Sequence, residues 1–383
     1  MKAARVAVVA LTLLTQAVVA TTPAGATSQV ASDRGERCRR RCIPVAAIQA
    51  ELDAAVAAGV PGMVVFVRSG DQAATITAGV GDVTTARPIR RDDRFRIASI
   101  TKSFVAALVV RLAQDHMLQL DDSVAQYLPE YSLDPAITIR QLLQHTSGLF
   151  DIADDEAWIA SVLADPTRAW APEELIPIGL AHPPYFASGT GYHYSNTGYI
   201  LLGALVKRVT HDDISLELQR RVLGPLGLDD TYVSHNAEIR GHHSHGYSLS
   251  PDGQIIDVTT LNATFTGAAG DIISTVGDIA SFYRALLRGR IVQGRYLAEM
   301  LSFLDINDDP DDGVALGLFR FPESCDIKTI GHGGGIFGYS SEARNSADAT
   351  VQDIAFANTD SIPEAAYPHL AAAERLAVCG ASG

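Results

Sequence analysis

Lysine is nearly missing from this chain: Lys2, Lys102, Lys207 and Lys328 stand against 26 arginines. An arginine does not give up its proton in a protein, so a lysine kept where arginine is the habit marks a place with a use for a neutral amine. Positive charge is short overall. The formal net charge is -14, which excludes nucleic acid and anionic membrane surfaces as main partners. Cysteine is limited to four residues, and Cys38 and Cys42, in Cys38-Arg39-Arg40-Arg41-Cys42, have no nearby histidine or further cysteine to complete a zinc site. That pair either forms a local loop or stays reduced, and the arginine run reads as part of a solvated tail. Only one apolar run is long, Val6 to Ala20, and it falls short of the ~20 residues a spanning helix needs. With Lys2 and Arg5 before it and Ala24-Gly25-Ala26 after it, residues 1–26 read as a cleaved secretory signal, leaving a secreted protein without a stable membrane anchor. Gly35-Glu36-Arg37 ahead of Cys38 does not resemble a lipidation site. Internal repeats are absent.

Against that background, Ser99-Ile100-Thr101-Lys102 stands out, because it leads into the apolar run Phe104 to Val110. A helix from Ser99 to about His116 stacks Ser99 and Lys102 on one face of its first turn, with Ser99 suited to start it. Burial lowers the proton affinity of Lys102 toward a value where it takes a proton from Ser99. Two further motifs follow. Tyr194-Ser195-Asn196 comes after the turn-rich Ser188-Gly189-Thr190-Gly191 and before a second apolar helix-length run. His332-Gly333-Gly334-Gly335 precedes the strand-like Ile336 to Tyr339, and its glycines let backbone pass close to a ligand.

Ser-x-x-Lys, then Tyr-x-Asn, then His-x-Gly, in this order, resembles the serine β-lactamase and DD-peptidase superfamily. The stretches Phe95-Arg96-Ile97-Ala98-Ser99, Leu120-Asp121-Asp122, His145-Thr146-Ser147-Gly148-Leu149 and Tyr194 to Tyr199 look like its secreted D-alanyl-D-alanine carboxypeptidase and class C β-lactamase branch. The resemblance runs from about Ile48 to Cys379. It implies acyl transfer through a covalent acyl-enzyme without a cofactor or metal. Ser99 is then the nucleophile, Lys102 or Tyr194 the base, and His332 an electrostatic support. Asn196 holds the substrate amide. Backbone N–H groups of Ser99 and Gly335 hold the oxyanion, and Gly333 and Gly334 line the same wall. It also implies a Cys325–Cys379 disulfide. Where the carboxypeptidases place the arginine that grips a terminal carboxylate, this chain has Phe319, and Arg320 is one residue off, on the other face of a strand. Phe265 and Phe319 make the pocket apolar.

The pattern predicts an α/β (α+β) fold: an antiparallel sheet built from both chain termini and flanked by helices, with a mostly helical insertion at about 101–261. A tail at 27–44 precedes a catalytic domain at 45–383. Val45 to Ala57 is expected as a helix, Gly62 to Val67 and Ala74 to Ala78 as paired strands, and Asp271 to Leu287 as a long helix. Asp305 to Gly313 has calcium-loop composition, but Pro310 and Leu316 occupy the glycine and glutamate places. His242, His243 and His245 lack an adjacent carboxylate in the sequence, and His145 reads as a capping and packing residue. The first expectation for function is a D-alanyl-D-alanine carboxypeptidase acting on peptidoglycan-type peptides. A β-lactamase, an esterase or a D-amino-acid amidase is the alternative, and a silent β-lactam or peptide sensor a minor one. The partner is in each case a small peptide, β-lactam or ester.

Overall fold

The computed structural model describes residues 42–250, 252–306 and 309–380. The expected secretory signal, most of the N-terminal tail and Cys38 lie outside the described residues. Helix α1 (Val45–Ala57) precedes β1 (Gly62–Ser69), β2 (Gln72–Asp82) and β3 (Arg87–Pro88). The chain returns to the same sheet with β4 (Leu304–Ile306), β5 (Asp309–Val314), β6 (Phe319–Ser324), β7 (Ile327–Ile336), β8 (Tyr339–Ser346) and β9 (Val351–Ala357). The spatial order is β3-β2-β1-β9-β8-β7-β6-β5-β4, so β1 and β9 from the two ends of the chain meet in the middle. They pair antiparallel, with Val64 opposite Phe356 and Val65 opposite Ala355.

Strand periodicity divides the core in two. Met63, Val65 and Val67 face α1 and the C-terminal helix Tyr367–Cys379, where they pack with Ile48, Leu52 and Ala377. Val64 faces the larger core, centred on the helix Thr101–Gln114, here α2. Twelve of its 14 residues are buried, so it is enclosed on every side at the centre of the domain, and from Phe104 to Val110 it is apolar all round. The connecting region carries two more long helices, α3 (Asn196–Thr210) and α4 (Val276–Leu287), and the C-terminal helix becomes α5. Among the described residues no helix is long and apolar enough to cross a membrane.

Three sequence expectations need correction. Asp271–Leu287 is not one helix: Ile272–Ser274 is a strand between Phe95–Arg96 and Tyr232–Val233, and Thr275 caps α4 by accepting from the Asp278 N–H. Short strands at 232–233, 247–249 and 255–257 interrupt the insertion that read as helical. The stretch with calcium-loop composition includes paired strand: Asp305 lies opposite Gly313 and accepts from Arg320, which stands on the other side of that glycine. The Cys325–Cys379 disulfide is present and ties the β6–β7 turn to the end of α5, and Cys42 is also disulfide-bonded.

Candidate active site

Ser99 sits in a 3-10 turn, Ala98–Ile100, immediately before α2, and does not cap the helix as expected. The turn is held by packing: Ala98 takes a left-handed backbone (φ 49), and Ser341 donates to the Ile97 carbonyl at 3.1 Å. Gly334 on β7 explains itself here. A Cβ at that position would lie 2.3 Å from the Ile97 carbonyl oxygen, so the glycine serves close packing of strand on nucleophile turn, and not approach of a ligand. Gly333 has only the Ser341 carbonyl, at 3.9 Å from its would-be Cβ, and Gly335 is exposed.

Lys102 is fully buried in the first turn of α2. Its Nζ lies 3.0 Å from Ser99 Oγ, 2.7 Å from Asn196 Oδ1 and 2.8 Å from the Ala269 carbonyl oxygen. The rings of Tyr194 and Tyr199 complete its surroundings, with centroids at 4.8 and 5.5 Å. Loss of water pushes the ammonium down to about 7, against an opposing pull from the charge of Asp151.

Tyr194 and Asn196 are brought in by the start of α3, whose N-cap is Ser195. This corner is fastened to the segment 145–152. Ser195 N–H donates to His145 Nδ1 at 3.1 Å, Thr197 Oγ1 to the Phe150 carbonyl at 2.7 Å, and Asn196 N–H to Asp151 Oδ1 at 3.0 Å. Asn196 Nδ2 donates to both Asp151 oxygens, at 3.0 and 3.1 Å, so this amide is bound at both ends by protein groups. Tyr194 is pushed well above the ordinary phenol range by burial, although a hydrogen bond with Ser99 works the other way.

His332 projects from β7 with its Nδ1–H donating to the Gly333 carbonyl at 2.5 Å. Burial drives it down to about 3, so the ring is neutral and Nε2, which has no protein partner, carries a free lone pair. His145 is also buried and held well below its ordinary range by loss of water and by Lys102. It stacks on Tyr194 at 4.3 Å between centroids, a packing role beside the reacting groups.

Phe319 begins β6 opposite Gly331 on β7, and its ring stands 4.9 Å from His332, 6.3 Å from His145 and 6.4 Å from Tyr194. Arg320, opposite Ile330 on β7, donates to Asp305 at 2.6 Å and covers the Phe303 ring. Arg344 is paired with Glu342 at 3.0 Å and Glu374 at 3.2 Å. Neither arginine is free to grip a substrate. Phe265 is buried against Phe337 and Trp158 in the segment 263–269, the one that ends in the Lys102 acceptor Ala269.

One residue was not singled out from the sequence. Asp151 is a lone acid in the apolar run Leu149-Phe150-Asp151-Ile152-Ala153, which is itself the signature of a buried and partnered carboxylate. His245 gains a carboxylate the local sequence did not show, Asp257 at 2.7 Å, but among the described residues no group of three or more His, Cys, Asp or Glu could hold a metal ion.

This arrangement, a serine hydroxyl against a desolvated lysine with a buried tyrosine and a neutral histidine around them, is suited to covalent acyl transfer. Comparison with known proteins agrees. The chain is 26% identical over 332 residues to penicillin-binding protein 4* of Bacillus subtilis, covering 82% of this chain and 72% of that protein. It is 34% identical over 163 residues to esterase EstB of Burkholderia gladioli, covering 40% of this chain and 41% of the esterase. Among solved structures, a D-stereospecific amidohydrolase from Streptomyces sp. superposes with a TM-score of 0.81 at 35% identity, covering 88% of this chain and 99% of the other. D-amino acid amidase from Ochrobactrum anthropi superposes with a TM-score of 0.77 at 27% identity, with the same coverage. The Beta-lactamase family model matches residues 46–373, and this chain, a serine hydrolase of the β-lactamase and penicillin-binding protein fold, belongs to that family.

Proposed function

We propose that this protein hydrolyses neutral amides and esters of D-configured acyl groups, in preference to peptides that end in a free carboxylate. The observation that carries this reading is Phe319. An aromatic ring fills the place from which a carboxylate would be gripped, and Arg320 and Arg344, on the neighbouring strand positions, are committed to carboxylates of the protein. The D-stereospecific amidohydrolase and the D-amino acid amidase support the stereochemistry and the neutral leaving group. Similarity to penicillin-binding protein 4* supports the carboxypeptidase reading, which requires a clamp that Phe319 does not provide.

In the proposed mechanism Ser99 Oγ attacks the carbonyl carbon as its proton passes to Lys102 Nζ. Lys102 is the better base of the two open candidates, since burial favours the neutral amine, while it also keeps the Tyr194 phenol protonated. Backbone N–H groups of Ser99 and Gly335 receive the oxyanion, each donor contributing about 3 kcal/mol in such sites. Tyr194 supplies the proton to the leaving nitrogen or oxygen and recovers it from Lys102. Water then attacks the acyl-enzyme over the same relay run backwards.

The test is kcat/KM on D-phenylalanine amide, on D-phenylalanyl-D-alanine and on the amide of that dipeptide. The expected order places both amides, which lack the terminal carboxylate, at or above the free acid. A preference for the acid above about 100-fold, the size of a charge-assisted pair, would overturn the proposal. Phe319→Arg should raise the relative rate on the acid by about 10-fold or more.

A further inference from the structure

We propose that Asp151 is the positioning residue of the proton-transfer apparatus: by occupying the donors of Asn196 it turns the Asn196 carbonyl toward Lys102 and leaves Ser99 as the one remaining partner of the amine. A lysine nitrogen is tetrahedral, and three polar atoms surround this one. The Ala269 carbonyl can only accept. Asn196 is ambiguous by chemistry, because its side chain ends in an acceptor on one side and a donor on the other. Asp151 removes the ambiguity, since both its oxygens face Asn196 Nδ2 at 3.0 and 3.1 Å.

With two hydrogens of Nζ committed to acceptors, the third direction, toward Ser99 Oγ, holds the lone pair of the neutral amine or the last hydrogen of the ammonium. That is the direction in which a base must point. A flipped Asn196 would place an N–H group against Nζ and two oxygens against each other at Asp151. Burial raises the Asp151 carboxyl above its ordinary range, and the N–H groups of Ala153 and Asn196, the Asn196 amide and the charge of Lys102 oppose that by favouring the carboxylate. Its charge acts on Lys102 through one intervening amide, close enough to oppose the effect of burial.

The titratable groups around Lys102 are Asp151 on its loop, His145 on the preceding turn, Tyr194 and Tyr199 at the start of α3, and His332 on β7. Around Asp151 they are Lys102, Tyr185 and Tyr194. Both histidines are neutral and both tyrosines beside Lys102 protonated near pH 7, so Asp151 is the one carboxyl group among them.

The proposal rests on Lys102 as the base, and the experiment separates the two. The pH dependence of kcat/KM would be measured with p-nitrophenyl acetate, whose leaving group needs no proton, for the wild type, D151N, D151A and K102R. Asn at 151 can keep the hydrogen bonds made by Oδ1 while the charge is lost. Removing a negative charge favours the neutral amine, so the acid limb of D151N should move to lower pH by about one unit. D151A frees the Asn196 amide as well, and should lose about 100-fold, mostly in kcat, as a misplaced catalytic group does. Coincident acid limbs for the wild type and D151N, with K102R inactive, would overturn the proposal alone. A D151A enzyme with the wild-type rate would overturn it too. K102R with the wild-type profile would overturn the Lys102 reading, and the proposal with it.

Discussion

Two buried cations in this molecule are surrounded in opposite ways. Lys102 touches no carboxylate: its partners are a hydroxyl, an amide oxygen and a backbone carbonyl, and Asp151 stands one residue further off. Arg344, on the far face of the sheet, is paired directly with Glu342 and Glu374 and lies opposite Asp353 across β8 and β9. The consequences differ with the cation. Lys102 can shed its proton, so burial expresses itself in the cation. Arg344 cannot, so burial expresses itself in the acids: Asp353 is driven well above the carboxylate range and Glu374 up to about 7, mainly by loss of water. A buried cation is driven toward its neutral form only where the protein keeps carboxylates out of direct contact and the side chain is one that can be neutral.

The largest expected effect comes from exchanging the cations. Lys102→Arg keeps the charge and removes the proton acceptor, so kcat/KM should fall by about 1,000-fold or more, close to the loss in Lys102→Ala. Steady-state kinetics on an ester and an amide decides it, and near wild-type rates in the arginine variant would show that charge, and not basicity, is what the position supplies.

Next is the link that holds the second cluster together. Cys325–Cys379 closes a loop of 54 residues and ties α5, which carries Glu374, to the sheet. Replacing both cysteines with serine should cost on the order of 4 kcal/mol in the loop-entropy account. Denaturant unfolding would measure that loss. Activity per folded molecule should be retained, because no reacting group lies on α5.

A smaller effect concerns pH. Glu374 has its affinity for protons raised in the folded state, to about 7 from 4.5, so it favours folding below 4.5 and that contribution is lost as pH rises through 7. Glu374→Gln should therefore gain stability on the wild type between pH 5 and 8, by about 2 kcal/mol at most, with Arg344 still held by Glu342. Thermal unfolding across that range tests it. A variant whose stability tracks the wild type at every pH would show that Glu374 is not the titrating acid.

The smallest effect mirrors the first. Arg344→Lys keeps a cation among three acids but loses its fork and its cover on Phe321, so stability should fall by about 1 kcal/mol with catalysis unchanged. A loss of activity in this variant would mean the two clusters communicate through the sheet, and would break the comparison.

Much of the site could be read directly because its parts lie close together in the chain. Ser99 and Lys102 are one helical turn apart, Tyr194 and Asn196 share the start of one helix, and His332 sits in a glycine run. Local spacing was enough to place each group on its element. The helix at 45–57 and the paired first strands were equally legible, since apolar period follows the face that is buried. Asp151 was not, because its meaning comes from Asn196, 45 residues away, and from the orientation of one amide. The capping role given to Ser99 failed because its hydroxyl is engaged by Lys102, and the helix expected at Asp271–Leu287 lost its first turn to strand pairing with Phe95–Arg96.

What this sequence determined by itself is the set of candidate groups and the family architecture, since both are written in residue type and short spacing. Which way those groups point was decided by tertiary structure. The Lys102 amine is driven toward neutrality because its surroundings exclude water, its other two hydrogen-bond directions are taken by acceptors, Gly334 is required because a strand crosses the nucleophile turn, and the Phe319 ring stands beside His332. Proton affinity and steric exclusion depend on which atoms meet across long stretches of chain, and those meetings exist only once the sheet has joined the two ends.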